Sequence, residues 1–171
     1  MNLKTLFLIM IFSASSYLSK AHNYVVTNRN NSGSGSFYEA VIWANSNSGR
    51  DTISFAIPGS NFSIPYNANF PELTDSCTVI DGTTQPGYDG TPLITLVGNA
   101  SYNGLVVSGN NCGIKGLHIR NYKNGILIKD GSYSCKISDC ILVYNSVGLR
   151  IGGDNAVIAN SKIGTNGLLD R

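Results

Sequence analysis

The chain has 171 residues, a formal net charge of +2, 13% charged residues, 19 Gly and 20 Asn. Lys4 and Lys20 lie in an N-terminal stretch that reads as a leader, and without them the formal charge is zero, which gives no support to the clustered Lys/Arg footprint of a nucleic-acid binder. Many Gly and Asn with few charges fit a turn-rich β-protein of one domain.

Lys4 precedes the apolar run Leu6 to Phe12, and small residues then lead to Ser19-Lys20-Ala21. This is the pattern of an export signal cleaved after Ala21, and the run is too short to span a bilayer. The protein is therefore expected to be secreted or displayed at the cell surface, with no membrane span once the signal is removed. Residues 1–21 are read as signal, 22–75 as an N-terminal strand/helix cap and lead-in, and 76–171 as repeats. Asn30, Asn61 and Asn99 match the glycosylation sequon, a pattern that chance explains in so Asn-rich a chain.

Residues 24–28 have the alternation of a strand. Ser36-Phe37-Tyr38-Glu39 has capping-box spacing, and Phe37, Ala40, Val41 and Ala44 follow at helical intervals. A lone amphipathic helix ahead of a repeat array predicts a cap over the first repeat's apolar cross-section. Asp51 to Ile57 reads as a strand stopped by Pro58-Gly59, and Ser60 to Asp75 as irregular lead-in. Thr83 to Pro92 carries Pro86-Gly87 and Asp89-Gly90 around Tyr88, so a loop is expected to project there.

Three tetrads recur at intervals of 21 and 23: Gly104-Leu105-Val106-Val107, Gly125-Ile126-Leu127-Ile128 and Gly148-Leu149-Arg150-Ile151. Asn keeps the same beat at 103, 124, 145 and 166. A period this short, with aliphatic strands between Gly/Asn turns, signals a β-solenoid. One repeat divides into strand one, Leu105 to Val107, strand two, Cys112 to Ile114, a bend at Lys115-Gly116, and strand three, Leu117 to Arg120. The bend position then holds Gly116, Asp139 and Asn160, residue types that tolerate a left-handed backbone. Ile114, Ile137 and Ile158 should form one inward column and Ile119, Leu142 and Ile163 another. Aligning Cys77-Thr78-Val79 with Cys112-Gly113-Ile114 adds an earlier repeat at a spacing of 35.

Gly35-Ser36, Glu39-Ala40-Val41, Ala44-Asn45, Ile80 to Tyr88, Thr91 to Ile94 and Asn160 to Asn166 together resemble the secreted bacterial right-handed parallel β-helix repeat proteins, the pectin-lyase-like group. The resemblance covers nearly all of the chain after Ala21. It implies an all-β, right-handed, single-stranded parallel β-helix with a short N-terminal capping helix. Members of the group look like long surface proteins with many more coils, so a truncated member is expected.

Lyases on this fold typically use a carboxylate cluster for calcium and an Arg or Lys base on the outer face of strand one. Here that face holds Val106, Leu127 and Arg150, and two aliphatics cannot ligate calcium. Hydrolases need two carboxylates flanking the scissile bond, whereas Asp130, Asp139 and Asp154 each have a turn to explain them. His118 points outward from strand three without a carboxylate in view. No catalytic residue, metal or cofactor is assigned. The candidate ligand contacts are Tyr88, as a stacking ring on its loop, with His118, Arg120 and Arg150; Tyr122 and Tyr144 either stack on a sugar or pack on turns.

Cys77, Cys112 and Cys135 are read as one inward column, with Cys140 in the column of Leu117 and Ser161. Neighbours at about 4.8 Å allow either a disulfide or a stack of buried thiols. The leading reading is a non-catalytic exported module for adhesion, carbohydrate binding or spacing, with glycans or other cell-surface components as partners. The alternatives are a polysaccharide lyase, hydrolase or epimerase, and a fragment without activity of its own.

Overall fold

The computed structural model describes residues 21–164, so all of the expected export signal except Ala21 lies outside the described residues. The chain is all-β, with parallel sheets and one α-helix among the described residues. The elements run β1 (His22–Val26), α1 (Phe37–Ser46), β2 (Asp51–Phe55), β3 (Ser63–Pro65), β4 (Val79–Asp81), β5 (Ile94–Val97), β6 (Leu105–Val107), β7 (Gly113–Lys115) and β8 (Leu117–Arg120). They continue with β9 (Asn124–Ile128), β10 (Lys136–Ser138), β11 (Ile141–Val143), β12 (Val147–Ile151), β13 (Val157–Ala159) and β14 (Lys162–Ile163). Every strand pairing among the described residues is parallel. The strands sort into a six-stranded sheet β1-β2-β4-β7-β10-β13, a five-stranded sheet β14-β11-β8-β5-β3 and a three-stranded sheet β12-β9-β6. From β4 onward the chain visits the three sheets in fixed rotation.

The rotation starts earlier than the repeat suggests. β1 and β2 already belong to the six-stranded sheet, β3 pairs with β5, and Leu73 bridges to Val107 of the three-stranded sheet. The stretch expected as irregular lead-in thus supplies sheet members. Its one short strand ends at Pro65, and the Asn and Pro residues around it hide the period.

Inward positions repeat across strands. Ile53, Ile80, Ile114 and Ile137 form one buried column, Ile64, Leu96, Ile119 and Leu142 a second, and Leu73, Val107 and Ile128 a third. Each fully buried aliphatic contributes about 1.5–3 kcal/mol from leaving water. Ile158 and Ile163 hold the expected register, but they are 40% and 38% exposed. A stacked residue is covered from both sides, and no described strand lies beyond β13 or β14.

Corners between the sheets are made by single left-handed residues. Gly116, Asp139 and Asn160 have φ of 65°, 54° and 47°, and each turns the chain from the six- to the five-stranded sheet. A second set, Cys77, Asn111, Ser134 and Asn155, has φ between 54° and 66°. Cys77 is therefore a corner residue, because Val79 pairs with Gly113 and so places Thr78, not Cys77, beside Cys112. The sequence alignment there is one residue out, and a slip of one moves a side chain from the interior to the outside.

Helix α1 begins where Ser36 Oγ accepts the Glu39 N–H at 3.1 Å. The Ser36 N–H donates to Gly33 O at 3.1 Å, so the reciprocal half of the expected capping box is replaced by a turn. Phe37, Ala40, Val41 and Ala44 are buried, with Phe37 against Phe55 and Phe70 at ring separations of 5.8 and 5.1 Å. Asn45 ties the helix to the next segment by donating to Glu72 O at 2.7 Å and accepting the Thr74 N–H at 2.8 Å.

Candidate binding groove

The three outer faces differ in chemistry. On the three-stranded sheet, Val106, Leu127 and Arg150 are register partners. A depression of about 340 Å³ beside them includes Asn69, Glu72, Asn103 and Lys129. Glu72 is the one carboxylate lining it, and it pairs with Lys129 at 3.1 Å. A hydrogen bond from Ser108, joined by the Lys129 ammonium, holds the Glu72 carboxyl below its usual range. Arg150 is exposed at the far end of this face.

His118 and Arg120 both stand on the outer face of the five-stranded sheet, half-buried, two residues apart on β8. Burial first, then the Arg120 charge, lowers the imidazole pKa, so the ring is neutral near pH 7. Its Nε2 is buried with no hydrogen-bond partner. Arg150 belongs to a different sheet, so the four candidate contact residues do not form one site.

Tyr88 does not project freely. Asp81 caps the 3-10 turn Gly82–Thr84, accepting the Thr83 N–H at 3.0 Å. Thr84 Oγ1 accepts the Phe55 N–H at 2.8 Å, and Gln85 exchanges two 2.9 Å hydrogen bonds with the Ile57 backbone. The loop is thereby stitched to the preceding strand. Tyr88 is half-buried, and burial together with the carboxylates of Asp139 and Asp81 raises its phenol pKa. Tyr122 is wholly buried, which removes it from any stacking surface, whereas Tyr144 is 55% exposed at a corner.

The outer face of the six-stranded sheet carries a groove of about 430 Å³. Its floor is made by residues with little or no side chain: Gly113 between Val79 and Lys136, and Ser138 beside Ala159. A Cβ built on Gly113 would lie 3.2 Å from the Val79 side chain, so the absent side chain is part of the floor's shape. Lys115 and Lys136 stand on adjacent strands at its sides, and Asn111, Ser134, Asp139 and Asn160 supply polar groups along its edges. Lys115 pairs with Asp81 at 3.8 Å; Lys136 has no carboxylate within ion-pair range among the described residues. Across the Asp139–Asn160 corner lies a second depression of about 360 Å³, which includes Thr91, Pro92, Ile141 and Lys162. The groove is thus hydroxyl- and amide-rich, flanked by ammonium groups, and open to solvent.

These groove residues are absent from the sequence-based candidates because Asp139 and Asn160 serve as corners and the lysines are scattered along the chain. Lys115 and Lys136 pair with Ser138 and Gly113, at an interval of 23 residues, so they are not equivalent positions of the repeat and periodicity alone does not single them out.

Cys77, Cys112, Cys135 and Cys140 are free thiols. Cys112 and Cys135 share an inward column with Thr78 and Ala156, and each thiol lies against a backbone carbonyl: Asp75 O at 3.3 Å and Gly109 O at 3.5 Å. Burial, with Cys135 adjacent, pushes the Cys112 thiol up to about 12, and burial takes Cys140 to about 11. Cys77 is half-buried at its corner and lines the extension of the groove toward Arg50 and Thr52.

Comparison with known proteins finds no match to a family model, a curated protein or a solved structure.

Proposed function

We propose that the chain is an exported right-handed parallel β-helix module of pectin-lyase-like type that binds glycans without cleaving them. The fixed rotation through three parallel sheets and the left-handed corners support the helical winding, since parallel crossovers are right-handed in nearly all sheets. The observation that carries the functional reading is the groove floor of Gly113, Ser138 and Ala159 between Lys115 and Lys136. A side-chain-poor strip with hydroxyl, amide and ammonium groups at its edges fits an extended polar chain, and its strands repeat at about 4.8 Å along the strip. Glycosidic cleavage needs two carboxylates placed across a bond. Asp139 is the one carboxylate among the residues lining the groove, and Asp81 beside it is engaged by Lys115 and Thr83, so Asp139 lacks a carboxylate partner for that task.

The test is retention of the purified protein on immobilised polysaccharides, together with an assay for unsaturated products on polyuronates with and without calcium. Retention that weakens in Lys115→Gln/Lys136→Gln, with no product formed, is the expected result. Calcium-dependent cleavage would overturn the non-catalytic reading, and retention unchanged in the double variant would remove the groove from the site.

A further inference from the structure

A buried carboxylate with one unsatisfied oxygen lies beside the start of the first strand. Asp51 is 1% exposed; His22 Nδ1 lies 3.2 Å from its Oδ1, whereas Oδ2 is buried and has no hydrogen-bond partner. His22 is the register partner of Asp51 across β1 and β2, and its ring meets Trp43 edge-on at 6.1 Å. Ala21, one residue earlier, is exposed and outside the strand. The strand therefore begins at the bond where the leader pattern ends.

A buried carboxylate oxygen lacking a donor is costly. While Ala21 is attached, the backbone nitrogen of His22 is an amide with one N–H. Freed, it is an ammonium with a full charge, since an α-amine has a pKa of about 7.7–8.0. We propose that the Ala21–His22 bond is a maturation site, and that the ammonium released on His22 seats on Asp51 Oδ2 and pins the first strand to the sheet. A leader peptidase with one water breaks the bond: hydroxyl goes to the Ala21 carbonyl carbon and hydrogen to the His22 nitrogen. The proton shed by the new carboxylic acid is matched by the one the amine takes up. The proposal rests on the export reading but not on the groove, because N-terminus and melting are measured without any glycan.

For the test, the full chain is exported from a bacterial host and the product's first residue is read by intact mass. His22 is expected, and any other first residue overturns the proposal. Thermal melts then compare the His22-first protein with a form retaining Ala21, each with Asp51 and with Asp51→Asn. The His22-first form should melt higher by roughly 2–4 °C, and that advantage should vanish in Asp51→Asn. Equal Tm values, or a gap that survives Asp51→Asn, would sink the lock. If Asp51→Asn does not fold, acetylation of the α-amine decides: it should be at least tenfold slower on native His22-first protein than on the Ala21-first form, and equal rates overturn the proposal.

Discussion

Lys115 Nζ stands 3.8 Å from Asp81 Oδ2, and the two residues are register partners on neighbouring strands β7 and β4. Through Oδ1 the same carboxylate also accepts the Thr83 N–H at 3.0 Å and the Thr83 hydroxyl at 2.5 Å. One side chain therefore fixes the start of the loop and one ammonium at the groove's edge.

Because the ion pair is partly exposed and long at 3.8 Å, Lys115→Ala should change stability by no more than about 1 kcal/mol. Asp81→Ala also removes a cap and should cost about 1 kcal/mol more. Urea melts of both single variants and the double variant measure the difference. Equal effects of the two single changes would contradict the dual role of Asp81.

Ile137 is fully buried, whereas Ile158, its register partner, is 40% exposed. Ile137→Ala should lose about 2–5 kcal/mol, and Ile158→Ala about 1 kcal/mol or less. Ile137→Asp should abolish the cooperative transition, since an unpaired charge in a dry core exceeds the stability of a marginal domain.

Gln85 is buried and satisfies both the N–H and the C=O of Ile57. Gln85→Ala strands those two backbone groups and should cost about 2 kcal/mol or more. The same variant should speed amide exchange at Ile57, read by mass spectrometry or NMR.

The Tyr122 hydroxyl is buried and has no hydrogen-bond partner. Removing it takes away a desolvated polar group with nothing to lose, so Tyr122→Phe should leave Tm unchanged or raise it. A clear fall in Tm would mean that the hydroxyl has a partner.

A thiol reagent should label Cys77 first in the native protein, and Cys112 and Cys140 only on unfolding, because the latter two are buried with thiol pKa values pushed up to about 12 and about 11. The linkage runs against alkali. Below the ordinary thiol value of 9.0 both states keep the proton and the contribution is complete. As pH climbs from there toward 11 and 12 the unfolded state ionises first, so stability falls. Replacing both cysteines with Ala should flatten that part of the stability–pH curve.

Much of the architecture is legible because its determinants are local. Alternation within Leu117–Arg120 sets which side chains point inward, and Gly116, Asp139 and Asn160 mark corners by residue type alone. Ser36 and the apolar spacing of Phe37, Ala40, Val41 and Ala44 announce the helix in the same way. Cys77 shows where this fails: the loop before β5 stretches the interval from Thr78 to Cys112, and a local pattern cannot tell an interval of 34 from one of 35.

What the sequence by itself determined is the periodicity: β-strands, their inward faces, the helix and the corner residues. What the tertiary structure decided is who stands beside whom across the strands. Parallel register is set by side-chain packing between segments tens of residues apart, and a single-residue shift exchanges interior for exterior. That packing brings Lys115 and Lys136 to one groove, leaves His118 and Arg150 on separate faces, buries Tyr122, and lays Asp51 beside His22.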